Sequence, residues 1–432
     1  MKPACADGAA ECGFWRIAAG IFLVLVAVRL AIVIAFAPEM PFYDEWDGVI
    51  AAMAQPMLAH SSTSSFWLAL DNEHVMLWSK ALSWLQLRIS DVQYDNVPAC
   101  EVSQALYAAM AAVLISGAAT QLYRFRGAFV ACALLIVALP YSWENIIASW
   151  ANPYYFLIAF SIAAIVLAVR VRGALGLALV VVCVFGAELS MGSGAFAGAV
   201  ASFVFVLRGR SGDLRKASAW MFSALVLLAT VAIFVSLPHA ERVTLQWGWP
   251  QAGEAVLAML LLAPAAFLLV RIVRGRGEPC DIAFVCVALW GAMQLGAIVL
   301  ARPEFRLWYP ISRYIDVLAC LAFASLACLC RLALADGRKW PRLANAALAL
   351  GFVAALACSP IAWHWMTWRA GNEAEAALRI ERHIRHGDRA AFAQVPQDVL
   401  PYPDRGRLMA LLDAPDVRYI LGDRLGTRPA PA

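Results

Sequence analysis

Charge is the scarcest property of this sequence: Asp, Glu, Lys and Arg make up only 15% of 432 residues, against roughly 25% in soluble domains. That scarcity excludes an ordinary soluble surface, because 62% hydrophobic residues exceed what one globular core absorbs. The net charge of +4 is small and its basic residues are scattered, so no nucleic-acid-binding face is expected. Catalytic signatures are missing too. There is no Walker loop, GxGxxG, HExxH or Ser-His-Asp arrangement, which argues against a nucleotide-driven pump. CxxC is absent, and most of the eleven cysteines (Cys132, Cys183, Cys286, Cys320, Cys328, Cys358) sit inside apolar runs as small hydrophobes.

What the chain has instead is long apolar runs, each long enough for a hydrocarbon core of roughly 30 Å. The expected fold is all-α: a polytopic membrane protein of about eleven transmembrane helices. They fall near 14–37, 98–120, 127–141, 153–170, 173–189, 192–208, 218–237, 251–271, 281–301, 311–331 and 342–362. The first run exceeds a usual signal-peptide core and is followed by Pro38, so it reads as an uncleaved span. Loops carrying Arg124/Arg126, Arg170/Arg172, Arg208/Arg210/Arg215/Lys216, Arg271/Arg274/Arg276 and Arg331/Arg338/Lys339/Arg342 share one side. The positive-inside rule makes that side cytoplasmic, with the amino terminus inside and the carboxy terminus outside. Two domains follow: a transmembrane body, 1–362, with a long first outer loop at 38–97, and a small outer tail, 363–432. Val75, Trp78, Leu82 and Leu85 recur at helical spacing, so part of the loop should lie in the membrane interface.

Polar clusters converge on the outer side. They are Asp44-Glu45-Trp46-Asp47, Asp71-Asn72-Glu73-His74, Trp143-Glu144-Asn145, Glu188 to Gly194, Arg302 to Arg306, and Ser312-Arg313-Tyr314-Ile315-Asp316. Simpler roles compete for several of them. Asp44 reads equally as a helix N-cap with Asp47 three residues on, which leaves Glu45 without a task. Asn72 suits a cap, and a lone His74 is more often structural than a ligand. Arg313 and Asp316 are spaced to pair with each other. Arg29, inside the first span, either snorkels or meets a charged lipid headgroup.

Carboxylates and arginines at a lipid–water boundary suit sugar transfer from a polyprenyl phosphate. A carboxylate takes the acceptor proton, arginine neutralises the leaving phosphate, and a nearby acid stabilises an oxocarbenium-like transition state. Grouped carboxylates such as Asp44 and Asp47 could alternatively hold Mg²⁺ or Mn²⁺.

FYDEWD, DNEHVMLW, SWENIIASW and ISRYIDVL, in this order, resemble a group of bacterial membrane proteins, and the acidic first outer loop is similar to that of GT-C superfamily glycosyltransferases. The PYPDRGRLMALLDAPDVRYIL tail fits the same group. The resemblance implies an inner-membrane enzyme that moves a sugar from a polyprenyl-phosphate carrier to a cell-envelope glycan or lipid. It implies Asp44 or Glu45 as base, with Asp47, Asn72, Glu73, His74, Glu144, Asn145 and Tyr314 shaping the site. Arg306, Arg313 and Arg29 would meet the phosphate. The chain departs from some members in lacking a large carbohydrate-binding domain. A non-enzymatic lipid or glycan transporter is the rival expectation.

Overall fold

The chain is seen in a computed structural model, which describes residues 5–62, 64–71, 73–238, 249–301, 312–336, 340–396 and 399–422. Among these residues there is no β-strand; the architecture is helical, that of a multi-pass membrane protein. Among the described residues, nine helices are long and apolar enough to cross a membrane. Two shorter apolar helices, Ala174–Ser190 and Ala258–Val273, stand at the remaining expected positions.

The body begins with α1 (Cys5–Phe36), which packs along α4 (Asn96–Gln121). Between them lie a π-helix (Trp46–Ala54), the single turn α2 (Gln55–Leu58) and α3 (Leu77–Ile89). Asp95 caps α4 by accepting from the Val97 N–H at 2.9 Å. Then come α5 (Arg126–Ala138), the short α6 (Trp143–Ile147) and α7 (Pro153–Arg170), whose first-turn proline needs no N–H partner. The bundle continues with α8 (Ala174–Ser190), α9 (Ala195–Ser211), α10 (Lys216–Ser236), α11 (Trp249–Val273), α12 (Pro279–Ala301) and α13 (Ile315–Ala335). α7 packs on α8, α9 on α10 and α12 on α13. Because the long helices alternate in direction, the 37–95 loop, α6, the α8–α9 turn and the start of α13 share one end of the bundle. We call it the loop face.

The last long helix, α14 (Trp340–His386), runs 47 residues without a break across residue 362. At 1.5 Å per residue it is about 70 Å long, more than twice a hydrocarbon core. Its second half therefore projects beyond the loop face. There α15 (Arg405–Asp413) and α16 (Pro415–Leu421) fold back on the first loop. Met40, Trp46, Ile50, Met53, Ile380, Leu408, Leu412 and Ile420 form one apolar core from both segments. The polar tail thus shares its core with the loop, although some 300 residues separate them in sequence. Backbone bonds seal the junction: Tyr43 N–H to Pro401 C=O at 3.1 Å and Tyr94 N–H to Ile420 C=O at 2.7 Å.

Candidate functional site

The PFYDEWD stretch follows α1 directly. Pro38 and Pro41 disfavour helical continuation, and Tyr43 takes a positive φ of 45°, a conformation uncommon for a bulky residue. Arg369 of α14, buried, lies over the rings of Phe42 and Tyr43 at 5.0 and 4.4 Å. Glu373, one turn later, forms an ion pair with Arg369.

Glu45 has the task that capping logic denied it. It is 0% exposed. One oxygen accepts from Phe42 N–H at 2.6 Å and Tyr94 O–H at 2.7 Å. The other accepts from Ser149 O–H at 2.8 Å and Trp150 N–H at 2.9 Å. Burial pushes this carboxyl above its usual range, against the pull of these four donors. The bond to Phe42 closes the turn from three residues downstream, as the glutamate of a capping box does. Glu45 therefore ties the start of the loop to the 149–150 turn, and its oxygens have no room for a substrate.

Beside it stands a carboxylate that the sequence reading left out of the site. Asp71 accepts the Trp150 indole N–H at 2.6 Å. Its backbone exchanges two hydrogen bonds with His74, at 2.8 and 3.1 Å, with half-buried Glu73 in the turn between them. Gly48 makes the approach feasible, since a Cβ there would meet Trp150 at 2.6 Å and Asp71 Oδ2 at 2.9 Å. Burial first, then the charges of Asp44 and Asp47, push Asp71 up to about 6, while the Trp150 bond and Lys80 pull it down. Buried Lys80 donates to the carbonyls of Ala69 at 2.6 Å and Phe66 at 3.1 Å, pinning the segment before Asp71. Burial lowers its ammonium to about 8. Asp71 stood in the DNEH stretch, but only folding brings Gly48 and Trp150 to it.

The WEN and SRY segments do meet. Ser312 donates to the Glu144 carboxylate at 2.6 Å and the Arg313 N–H does so at 3.0 Å. Asn145 reaches the Arg313 carbonyl at 2.9 Å and Asp316 at 2.8 Å. The Arg313 side chain is exposed and feels the charges of Glu144 and Asp44. Tyr314 is buried against Tyr154, ring centroids 5.8 Å apart. Asp44 acts electrostatically on both Asp71 and Arg313.

Three expectations are revised. Arg313 and Asp316 do not pair: Asp316 is 3.7 Å from Arg29 and accepts from Tyr107 at 2.7 Å and Ser142 at 3.0 Å. Arg29 is no free phosphate ligand. It is 0% exposed and donates to Val137 C=O, Gln104, Tyr155 and Ser142, with the Tyr107 ring 3.9 Å away. Asp47 turns toward the tail, where Tyr402 donates to one oxygen and Arg407 lies 3.1 Å from the other. Both Asp47 oxygens are thus engaged by the tail, and no group of three or more His, Cys, Asp or Glu suits a metal among the described residues. Asn72 and Arg306, expected in the site, lie outside the described residues. Against known proteins, the chain matches no family model and no curated protein.

Proposed function

We propose that the chain is a membrane glycosyltransferase of GT-C type, working at the loop face with a polyprenyl-phosphate-linked sugar as donor. The observation that carries this reading is that the loop face gathers the carboxylates Asp44 and Asp71 with the exposed cation of Arg313, Asp44 acting electrostatically on both. Under this reading the loop face is periplasmic, as the arginine-rich opposite loops favour, and the membrane is the bacterial inner membrane. The acceptor is a cell-envelope glycan or lipid.

The acceptor oxygen attacks the anomeric carbon as the bond from that carbon to the phosphate oxygen breaks. The acceptor proton passes to a carboxylate, and the polyprenyl phosphate leaves with the electron pair, its charge met by Arg313. Asp44 is the favoured base, as the first acid of the FYDEWD stretch on which the GT-C resemblance falls, while Asp71 holds one oxygen on Trp150. Asp71 supplies negative charge beside the oxocarbenium-like centre. Glu45 and Arg29 hold the scaffold.

The test is purified protein in lipid, supplied with radiolabelled polyprenyl-phosphate sugars and assayed for released polyprenyl phosphate. Turnover that Asp44→Asn abolishes supports the assignment. Donor translocation without bond cleavage would replace it with the transporter.

A further inference from the structure

On the bundle end opposite the candidate site, α10 and α11 both lie against α9 without packing closely on each other among the described residues. The gap between them ends in a crevice of about 360 Å³, within the usual range of small-molecule sites. Val206, Gly209, Ala219 and Val273 make its apolar wall, and Arg210, Lys216 and Trp220 its rim. α9 and α10 approach tightly at its base, since a Cβ on Gly209 would come within 2.6 Å of the Ala219 methyl.

Charge here is uncompensated. The nearest acid in sequence, Asp213, is already held by Arg208 at 2.7 Å and Arg172 at 3.8 Å, one cation on each oxygen. Arg208 is buried and also donates to the carbonyls of Ala168 and Val171, so that cluster belongs to the fold. Arg210 and Lys216 are exposed, with no ion pair among the described residues, and no acidic side chain lines the crevice. Trp220 is 63% exposed. Beyond it, α10 and α11 carry further exposed hydrocarbon, such as Leu228, Val235, Met259 and Leu260.

We propose that this crevice binds one anionic glycerophospholipid. Its phosphate would lie between Arg210 and Lys216, its glycerol against Trp220, and its acyl chains in the gap between α10 and α11. Two cations without an acid select negative charge, and the crevice's apolar wall with the exposed hydrocarbon of α10 and α11 selects a lipid over a free phosphate ion. An amphipathic indole at the rim matches a headgroup boundary. The site stands apart from the proposed reaction and does not depend on it.

The experiment is native mass spectrometry of the full-length protein in neutral detergent, titrated with phosphatidylglycerol, phosphatidylcholine or inorganic phosphate. One phosphatidylglycerol should be retained about tenfold more tightly than phosphatidylcholine. Arg210→Gln with Lys216→Gln should weaken it roughly ten- to thirtyfold, at about fivefold per cation. Arg124→Gln with Arg170→Gln removes the same charge from exposed positions on the same face and should change affinity less than twofold. Equal losses in both pairs would mean diffuse surface charge and overturn the site. Equal retention of the two lipids would overturn it, and so would displacement by equimolar inorganic phosphate. Should the crevice variant fail to fold, the wild type still decides. Brominated phosphatidylglycerol should quench a tryptophan component that Trp220→Phe lacks, and identical quenching in both proteins would reject the proposal.

Discussion

Trp150 donates its indole N–H to Asp71 at 2.6 Å while its backbone N–H goes to Glu45 at 2.9 Å. One residue of the 149–152 turn thereby sets two carboxylates of the first loop, one buried and one half-exposed. Trp150→Phe keeps the ring but deletes the indole donor. It should lower turnover roughly tenfold or more, the usual cost of misplacing a reacting group, while leaving thermal unfolding nearly unchanged. A fall in both together would make the bond to Asp71 structural only.

Glu45 and Asp44 should separate by phenotype. Glu45→Ala strips four buried donors of their acceptor and should cost about 2–4 kcal/mol of stability, since a buried group left unpaired loses its full solvation. Asp44→Asn should unfold at the wild-type temperature yet lose about 10²–10⁴ in turnover. Paired melting curves and product assays decide. An active Asp44→Asn would hand the base to Asp71.

pH should report on Asp71. Its carboxyl is pushed to about 6 by burial, above the usual 3.9 or so. The folded state therefore keeps a proton that the unfolded chain releases. Its contribution to stability is full below about pH 4 and is lost as pH rises through about 6. Turnover that needs the ionised form should instead rise through about 6, and Asp71→Asn should flatten that limb. An unchanged profile in Asp71→Asn would assign the titration to another group.

Arg29→Met should cost about 3–5 kcal/mol by leaving Asp316 buried and unpaired, and Arg29→Met with Asp316→Leu should recover much of that loss. Denaturant melts in detergent measure both. If Arg29 met a lipid phosphate, the single variant would keep its stability and lose donor affinity instead.

Gly48→Ala tests the close packing beneath the site. The added methyl would press on Trp150 and Asp71 at 2.6 and 2.9 Å, so turnover should fall while Gly48→Ala with Trp150→Phe does no worse than Trp150→Phe alone. Additive losses in the assay would place the effect elsewhere.

Much of the architecture was legible one residue at a time. Apolar runs place the nine long helices found among the described residues, because a segment in lipid satisfies its backbone internally and its length is set by the bilayer, although α14 runs on to His386, well past the expected end at 362. The same pattern put the DEWD, DNEH, WEN and SRY segments at one end. Roles within that end were less legible. Arg313 and Asp316 are spaced to pair, yet Asp316 is claimed by Arg29 and Tyr107 from α1 and α4. Glu45, the acid without a capping role, proved the most thoroughly bonded of its group. The tail looked like an appendage, but Ile380, Leu408 and Ile420 complete the apolar core of the first loop.

The sequence by itself determined the class of protein, the helix positions and the face on which its polar residues gather, since hydrophobic length and periodicity are local properties. Only the tertiary structure decided which partners Glu45 and Asp47 take. Asp44, Glu45 and Asp47 differ little in local pattern. Their fates depend on donors from residues 94, 149–150, 402 and 407, and hydrogen bonds at that sequence separation exist only once the chain has packed.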